Sequence, residues 1–467
     1  MVSIFNDVIG PVMRGASSSH CAAALRIGRL ARDLMGGDIT NVLIEFDKNG
    51  SLPNTHESQG SDMGLFGGLL GWDAADERLP NSPEVLAAAG VHVTINYVDI
   101  ADPHPNTYRL TLRNAREQHT MIAISTGGGM IEVLDIDGTP VSLDGGSRVE
   151  VSGRVLNQVL PVMSQPDARL PFRSCAELMQ LDGGREIPLW KWAVEYEKAR
   201  GALTDDQVLA MMVDIVRILR RSIAQGIAGT TYADRILGHQ SGQFAEKMKS
   251  GGLLNGGALN RAVLYVTSLM EIKSSMGVIV AAPTAGACAA LPGATIAMAE
   301  EMGLSEEDMA RAMLAAGAIG LFIAGPWTFA AEVGGCQAEG GSAAAMAAAA
   351  LVTLGGGNLT QATSAASMAM QSMLGLICDP VAARVEIPCL GKNVIAASNA
   401  VSCANMALAG FDAVIPFDEV VDAARRVADN MPREHRCTAL GGLATTPTAI
   451  KLSADLAARL KQIKDKS

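Results

Sequence analysis

The sequence is poor in aromatic residues and in charge. Phenylalanine, tyrosine and tryptophan make up 4% of the 467 residues, and charged residues make up 18%. Alanine, glycine and methionine take the place of the aromatics, and such side chains favour helices whose backbones approach closely. Hydrophobic residues reach 49%, which is a globular composition. A chain of this length can bury a large core in two or three domains.

Clustered positive charge is also lacking. The formal net charge is −11, whereas nucleic-acid binding draws on groups of lysine and arginine. We therefore expect no nucleic-acid partner. The apolar stretch at 276–298 is interrupted by Pro283, Pro292 and several glycines. This pattern predicts a buried helix–loop–helix and no contact with a membrane.

The cysteines lack the dense spacing of a disulfide-rich secreted protein. Eight are spread along the chain, and the N-terminal stretch MVSIFND has neither the basic nor the apolar segment of a signal peptide. We therefore expect the protein to work in the reducing cytoplasm.

Three cysteines, Cys336, Cys378 and Cys389, stand beside glycine or proline in Gly-Cys-Gln-Ala-Glu, Cys-Asp-Pro-Val and Pro-Cys. Proline breaks helices and frees backbone N–H groups, and such groups stabilise thiolates. Two interpretations stay open. Free cysteines are commonly buried as small hydrophobic residues. Alternatively, three thiolates hold an iron cluster that is one ligand short, and an incompletely ligated metal is what Lewis-acid catalysis needs.

The two halves of the chain differ in pattern. Strand-like segments occupy 41–46, 91–97, 107–112 and 130–136, with a glycine-rich helix at 62–72 between the first two. Strand signals nearly vanish after residue 174, where amphipathic helices begin, one of them capped by Thr204. The predicted fold is an α+β substrate or regulatory domain (1–150), a linker (151–173) and an all-helical catalytic domain (174–467).

A run of polar residues, Ser17, Ser18, Ser19 and His20, leads into a helix near the N-terminus. Hydroxyls and N–H groups at such a place bind a phosphate or carboxylate, but a serine there can equally be a simple N-cap. In the second half, glycine- and proline-rich loops break the helices, one of them at Thr284, Ala285 and Gly286. Such breaks can direct several helix N-termini at one interior point.

Taken together and in this order, these motifs resemble those of iron–sulfur-dependent L-serine dehydratases in the form that fuses the β and α parts. The resemblance covers nearly the whole chain. It rests on Ser17–His20, the segment from Asp62 to Gly71, Ala282–Gly286, Gly335–Glu339, Cys378–Val381, Pro388-Cys389 with Asn393, and Leu440–Ala444.

The resemblance implies a lyase that converts L-serine to pyruvate and ammonia, as in amino acid degradation and gluconeogenesis. It implies a [4Fe–4S] cluster held by Cys336, Cys378 and Cys389, an open iron that binds the substrate's hydroxyl, no pyridoxal phosphate and a homodimer. Hydroxide is a poor leaving group, so a Lewis acid must take up its charge while a base removes the α-proton. We expect the substrate's carboxylate to be bound by Ser17, Ser18 and Ser19 together with the loop of Thr284, Ala285 and Gly286. Asn393 is a further expected substrate-binding residue.

One departure from the family bears on catalysis. Ser58-Gln59-Gly60-Ser61-Asp62 stands where the family has Gly-His-Gly-Thr-Asp, so Gln59 replaces a histidine, and glutamine cannot accept a proton at neutral pH. Either His20 or His56 then supplies the base, or the substrate is a related small hydroxy or thiol acid. The catalytic candidates are His20, His56, Ser61 and Asp62.

Two other classes of protein fit the sequence less well than an enzyme does. A non-catalytic binding homologue has no physical need for three oxidation-prone thiolates. An electron carrier would normally have all four irons ligated by the protein.

Overall fold

The structure is a computed structural model that describes residues 1–165 and 167–464, with side chains described as far as residue 459. The chain forms two compact units, Pro11–Ser164 and Met1–Gly10 with Gln165–Ser467. The first unit holds a six-stranded sheet and the second is helical. The predicted fold class, α+β followed by all-α, is confirmed. The predicted domain bounds and the linker at 151–173 stay a prediction.

The α+β unit combines a sheet with helices that cover it. Its strands are β1 (Val12–Met13), β2 (Asn41–Asp47), β3 (His92–Val98), β4 (Thr107–Arg113), β5 (Gln118–Gly127), β6 (Met130–Ile136), β7 (Thr139–Leu143), β8 (Val149–Val151) and β9 (Arg154–Leu156). Its helices are α1 (Ala23–Leu34), α2 (Leu52–Thr55), α3 (Ser61–Leu69) and α4 (Ser82–Ala88), with a π-helical turn at Ser18–Ala22 and a 3₁₀ turn at Leu79–Asn81.

The six-stranded sheet has the order β3-β2-β4-β5-β6-β7. Strands β2 and β3 are parallel, and the other neighbours are antiparallel. Alternate residues of β2, namely Val42, Ile44 and Phe46, are buried in the core, as expected for a sheet covered on one face. The predicted strands at 41–46, 91–97, 107–112 and 130–136 are all present within a residue or two.

The helical unit holds the larger core. Its helices are α5 (Cys175–Asp182), α6 (Leu189–Gly201), α7 (Asp205–Ala228), α8 (Ser241–Lys249), α9 (Ala258–Ser274), α10 (Ala290–Glu301), α11 (Glu306–Ala324), α12 (Ala331–Gly334), α13 (Ser342–Leu354), α14 (Leu359–Gln371), α15 (Cys389–Leu408), α16 (Phe417–Asp429) and α17 (Pro447–Lys464). Its other elements are a short strand β10 (Ile279–Val280), π-helical turns at Ile4–Val8 and Gln337–Gly341, and 3₁₀ turns at Val381–Ala383, Arg433–His435 and Gly442–Thr445.

Small residues let these helices pack closely. Helix α13 is mostly alanine and is buried along its length except at Thr353, and it contacts α10, α11, α14 and α15. A methyl group on Gly293 of α10 would lie 2.6 Å from Val266 of α9. The predicted cap at Thr204 is confirmed, because its hydroxyl and Gln207 form a capping box.

The first ten residues belong to the helical unit. The turn Ile4–Val8 packs on α11 at two glycines. A methyl group on Gly317 would lie 2.6 Å from Ile4, and one on Gly320 would lie 2.1 Å from Val8. The turn is also anchored by Glu197, a fully buried carboxylate that accepts the Ile4 N–H at 2.6 Å and pairs with the equally buried Arg200 at 3.0 Å.

No helix in the described part of the chain is both long and apolar enough to cross a membrane. The helix–loop–helix predicted at 276–298 is wrong in its first part, which forms β10 and an irregular loop, because α9 already ends at Ser274. The second part forms most of α10, and nearly all of the stretch is buried, as predicted.

Candidate active site

The backbone turns sharply just before Cys336, in a conformation that only glycine permits. Gly335 has φ +67°, and a methyl group there would lie 2.7 Å from the sulfur of Met431. The next residue, Cys336, is buried and precedes the π-helical turn that leads into α13. The side chain of Gln337 fixes the turn by donating to Ala424 O at 3.0 Å and accepting from Gly375 N at 2.9 Å.

Cys378 lies on a short extended segment. Its N–H donates to His435 O at 2.8 Å, its carbonyl accepts from Cys437 N at 3.2 Å, and it forms a bridge with Arg436. The Cys378 thiol hydrogen-bonds with those of Cys336 and Cys437, and the three side chains belong to one buried apolar cluster.

Cys389 is the first residue of α15 and follows Pro388. One turn later, Lys392 donates from Nζ to Asp379 Oδ1 at 2.7 Å and to Ile377 O at 2.7 Å, with Cys336 Sγ at 3.6 Å. Lys392 therefore links the segments that carry the three cysteines. Its positive charge also favours thiolates nearby.

The loop from Thr284 to Gly286 is held by two of these segments. Thr284 Oγ1 donates to Glu339 Oε1 at 2.8 Å. Asn393 Nδ2 donates to Gly286 O at 2.7 Å and Cys389 O at 2.9 Å, while its Oδ1 accepts from Ala289 N and Ala290 N. A methyl group on Gly286 would lie 2.8 Å from Glu339 Oε2. The predicted residues of this unit thus form one constellation.

Burial raises the pKa values of the acids in this constellation. Hydrogen bonds with Cys336 and Cys437, together with burial, raise the pKa of Cys378. Burial and the nearby Cys336 raise the pKa of Cys389. Burial, with the charge of Glu332, raises the pKa of Glu339 to about 7. Metal binding by these thiols would therefore have to displace protons.

The donor set fits a cluster better than a single ion. Among the residues the structure describes, no three histidine, cysteine or acidic side chains are placed to hold one metal ion. Buried thiols from three separate segments, with the Lys392 ammonium beside them, are instead the ligand type that iron–sulfur clusters take.

Four residues of this constellation were not assigned roles from the sequence: Glu339, Lys392, Cys437 and Lys273, a buried lysine whose charge acts on Glu339 and Cys389. Glu339 lies inside the Gly335–Glu339 motif, and Lys392 follows Cys389 by three residues, so helical spacing could have indicated the latter. Lys273 and Cys437 are distant from the other residues in sequence, and only the fold brings them close.

The remaining predicted residues lie in the α+β unit, where His20 is central to one group. Ser17 Oγ lies 3.1 Å from His20 Nδ1, and Thr55 Oγ1 lies 2.9 Å from Nε2. The Ser17 hydroxyl makes no helix-capping bond, and Ser18 and Ser19 are buried in the π-helical turn. Burial, with His56 nearby, lowers the pKa of His20 to about 3, so this imidazole is neutral at neutral pH.

His56 forms a second group. Its Nδ1 lies 2.7 Å from Asp62 Oδ1, and its Nε2 lies 2.7 Å from the hydroxyl of Tyr97. Ser61 Oγ lies 2.9 Å from the hydroxyl of Tyr108. A carboxylate on one ring nitrogen fixes the tautomer and leaves the other nitrogen as the basic one.

Gln59 is buried, with 1% of its surface exposed. Neither its Oε1 nor its Nε2 has a hydrogen-bond partner among the described residues. An amide buried without partners costs roughly 1–3 kcal/mol. The position that departs from the family is therefore held at an energetic cost.

The sequence matches a known protein family. The model of the serine dehydratase alpha chain family matches residues 184–444. The chain belongs to this family. That match includes every cysteine, loop and helix of the constellation described above, from Lys273 to Cys437.

Individual relatives extend the match beyond the family model to most of the chain. A probable L-serine dehydratase alpha chain of Bacillus subtilis is 36% identical over 60% of this chain and 94% of its own length. A probable L-serine dehydratase beta chain of the same organism is 38% identical over 31% of this chain and 64% of its own length. An L-serine dehydratase of Streptomyces coelicolor is 29% identical over 94% of this chain and 97% of its own length.

Proposed function

We propose that this protein is an L-serine ammonia-lyase that converts L-serine to pyruvate and ammonia with the help of a [4Fe–4S] cluster. One observation carries the proposal. In a chain whose relatives are named L-serine dehydratases, three buried cysteines from separate segments lie beside a threonine–glycine loop.

In this proposal Cys336, Cys378 and Cys389 hold the cluster, and Lys392 neutralises part of the thiolate charge. When bound, the cluster supplies a Lewis acid for the departing hydroxyl group. The burial of the thiols keeps solvent away from that position and strengthens the electrostatic interactions there.

The loop of Thr284, Ala285 and Gly286 supports the substrate. Its backbone N–H groups supply donors, while the Thr284 hydroxyl donates to Glu339 and fixes the loop. We propose Ser17, Ser18 and Ser19 as further substrate-binding residues. The Asn393 amide already makes two donor and two acceptor bonds within the protein. Its contribution is therefore to hold the loop in position.

We assign the base to His56, with Asp62 orienting it. Burial lowers the pKa of His20 to about 3, which makes it a weak proton acceptor. The Asp62 carboxylate instead holds His56 Nδ1 at 2.7 Å, as an orienting acid does for a histidine base. Ser61 borders this pair in sequence and is tied to Tyr108.

The elimination product is an enamine that becomes an imine and hydrolyses to pyruvate and ammonia. No pyridoxal phosphate is needed in this scheme. The proposed setting is a homodimer in the reducing cytoplasm, where a cluster with an open iron is protected from oxidation, and where pyruvate enters amino acid degradation and gluconeogenesis.

The test is an anaerobic comparison of native protein with Cys378→Ala and the matched control Cys403→Ala. Cys403 is a buried cysteine on α15. We expect native protein and Cys403→Ala to contain iron and sulfide and to release pyruvate from L-serine, and Cys378→Ala to lose both. A metal-free native protein that turns over L-serine, or a cluster-containing one that does not, contradicts the proposal.

The unpaired Gln59 amide favours a second candidate, elimination from a related small hydroxy or thiol amino acid. A buried group with one acceptor and two donors is suited to read a polar substituent that serine lacks. A panel of such acids, assayed for pyruvate or a homologous keto acid, decides between the two. A higher kcat/KM for another acid than for L-serine supports the second candidate.

A further inference from the structure

Lys273 is a buried lysine whose ammonium group has no hydrogen-bonded counter-ion in the part of the chain that the structure describes. It lies in the last turn of α9 with 1% of its surface exposed, and its Nζ has no hydrogen-bond partner among the described residues. An ammonium group removed from water costs several kcal/mol unless an anion compensates it. Such a group therefore calls for an anionic ligand in the working state of the protein.

Lys392, the other lysine of the constellation, differs from Lys273 because its ammonium group is fully hydrogen-bonded within the protein. Its Nζ donates to Ile377 O and Asp379 Oδ1, each at 2.7 Å, and contacts Cys336 Sγ at 3.6 Å. All three of its protons have acceptors in the protein. Lys273 has the same number of donors and none of these acceptors.

The surroundings of Lys273 place it at the candidate active site. Its charge acts on three acids, favouring the ionised forms of Cys389, Cys288 and Glu339. Cys389 is a proposed cluster ligand, and Glu339 accepts the hydrogen bond of Thr284 at 2.8 Å. The ammonium group therefore lies near both the thiols and the loop proposed to hold the substrate.

None of these acids forms a hydrogen bond with the Lys273 ammonium group among the described residues. Burial raises the pKa of Cys288 to about 12, so its thiol is uncharged at neutral pH. Burial also raises the pKa of Glu339 to about 7, and its Oε1 is occupied by Thr284. The Lys273 ammonium group is therefore open to an anionic group of a bound molecule.

We propose that Lys273 binds the α-carboxylate of the substrate. This rests on the proposed function, which supplies a small amino acid carrying such a group. A lysine acts as a point charge that needs no fixed planar geometry, so it can hold the carboxylate while the Thr284 loop orients the rest of the molecule. Lys273 is then a determinant of specificity for free acids over amides and esters.

The experiment compares Lys273→Met with Lys273→Arg and with Lys249→Met, a control at an exposed lysine of α8. Anaerobic protein is assayed with L-serine and with L-serinamide, which lacks the carboxylate charge. Calorimetric binding of L-alanine and L-alaninamide, which cannot lose water, gives a second measurement that requires no turnover. Iron and sulfide contents are measured for every variant.

We expect Lys273→Met to keep its iron and sulfide, to raise the KM for L-serine at least 100-fold with a smaller change in kcat, and to lose the preference for acid over amide. Arginine should restore part of that preference, and Lys249→Met should match the native protein. The inference is overturned if Lys273→Met still prefers the acid, or if it loses the cluster, because Lys273 would then neutralise the cysteine thiolates.

Failure of the proposed function gives a different pattern. If no variant turns over L-serine but native protein binds L-alanine in preference to L-alaninamide and Lys273→Met does not, the carboxylate site stands and the serine assignment falls.

Discussion

The backbone N–H of Cys437 donates a hydrogen bond to the carbonyl oxygen of Cys378 at 3.2 Å, and the two thiols are hydrogen-bonded as well. Cys378 therefore has a second thiol neighbour besides Cys336, and Cys437 is as well buried as the proposed ligands. Four cysteines, of which three are proposed to hold iron, lie in one part of the helical unit.

Replacing these cysteines one at a time should show which of them hold the cluster. We expect Cys437→Ser to retain iron and sulfide, and Cys389→Ser to lose most of both, because Cys389 begins α15, where helix N–H groups stabilise a thiolate. Iron and sulfide per chain, measured on anaerobic protein, give the answer. Retention of iron in Cys389→Ser and its loss in Cys437→Ser would reassign the third ligand to Cys437.

Thr284→Val should lower kcat/KM for L-serine by roughly 10- to 100-fold, because leaving a buried acceptor without its hydrogen-bond donor costs about 1–3 kcal/mol. The valine leaves Glu339 without the donor that now lies at 2.8 Å. Thr284→Ser keeps the hydroxyl and should stay within a few-fold of native activity. A loss in Thr284→Ser with full activity in Thr284→Val would show that the methyl group, and not the hydroxyl, is what matters.

His20 should make the protein sensitive to acid. Its pKa is lowered by burial to about 3 in the folded protein, against an ordinary value of about 6.5 when unfolded. The unfolded state thus binds the proton first, so stability is complete above pH ~6.5 and falls by up to about 1.4 kcal/mol per pH unit between ~6.5 and ~3.

Denaturant unfolding of His20→Gln between pH 7 and 4 checks this prediction. The variant should be less stable at pH 7, because Ser17 and Thr55 lose a partner, and its stability should depend less steeply on pH. His92→Gln, which changes an exposed histidine on β3, should keep the native slope. An unchanged slope in His20→Gln would mean that His20 titrates normally.

Gln59→Met should stabilise the protein and reduce its activity. The methionine has a similar size and removes an amide whose two polar atoms are buried without partners, so we expect a gain of about 1–2 kcal/mol. Thermal unfolding measures the gain, and Gln59→His tests whether L-serine activity rises. A destabilised Gln59→Met would show that the amide is paired in solution.

Gly320→Ala should destabilise the helical unit by about 1–3 kcal/mol, because its methyl group would lie 2.1 Å from Val8 Cγ1. The sign of the stability change is informative, since replacing a helical glycine with alanine normally stabilises a protein by up to about 1 kcal/mol. Gly238→Ala, where no atom lies within 4 Å of the added methyl group, is the control. Full stability of Gly320→Ala would mean that the N-terminal segment does not rest on α11.

Local signals predicted most of the elements. The β2 and β4 strands and the capped helix α7 lie where residue patterns put them, because alternation and capping act over a few residues. Strand β5 (Gln118–Gly127) was missed, since its end reads as a glycine-rich turn and pairing with β4 and β6 decides the outcome.

The candidate site was predictable only in part. Short motifs identified Cys336, Cys378 and Cys389, because each carries its own glycine or proline. The positions of Lys273 and Cys437 and the unpaired amide of Gln59 could not be predicted. They depend on burial and on contacts between segments that are distant in sequence, which no local pattern shows. Their roles, like those of the predicted ligands, now depend on the experiments described above.

The path of the chain limits how this protein can be divided. Residues 1–10 rest on α11 and on the Glu197–Arg200 pair, although the whole of Pro11–Ser164 separates them in sequence from the rest of the helical unit. A single break near residue 164 would therefore deprive the helical fragment of its own first ten residues. If the two units were made as separate polypeptides, residues 1–10 would have to be joined to the helical fragment. Otherwise α11 would need larger residues at Gly317 and Gly320, where Ile4 and Val8 now pack.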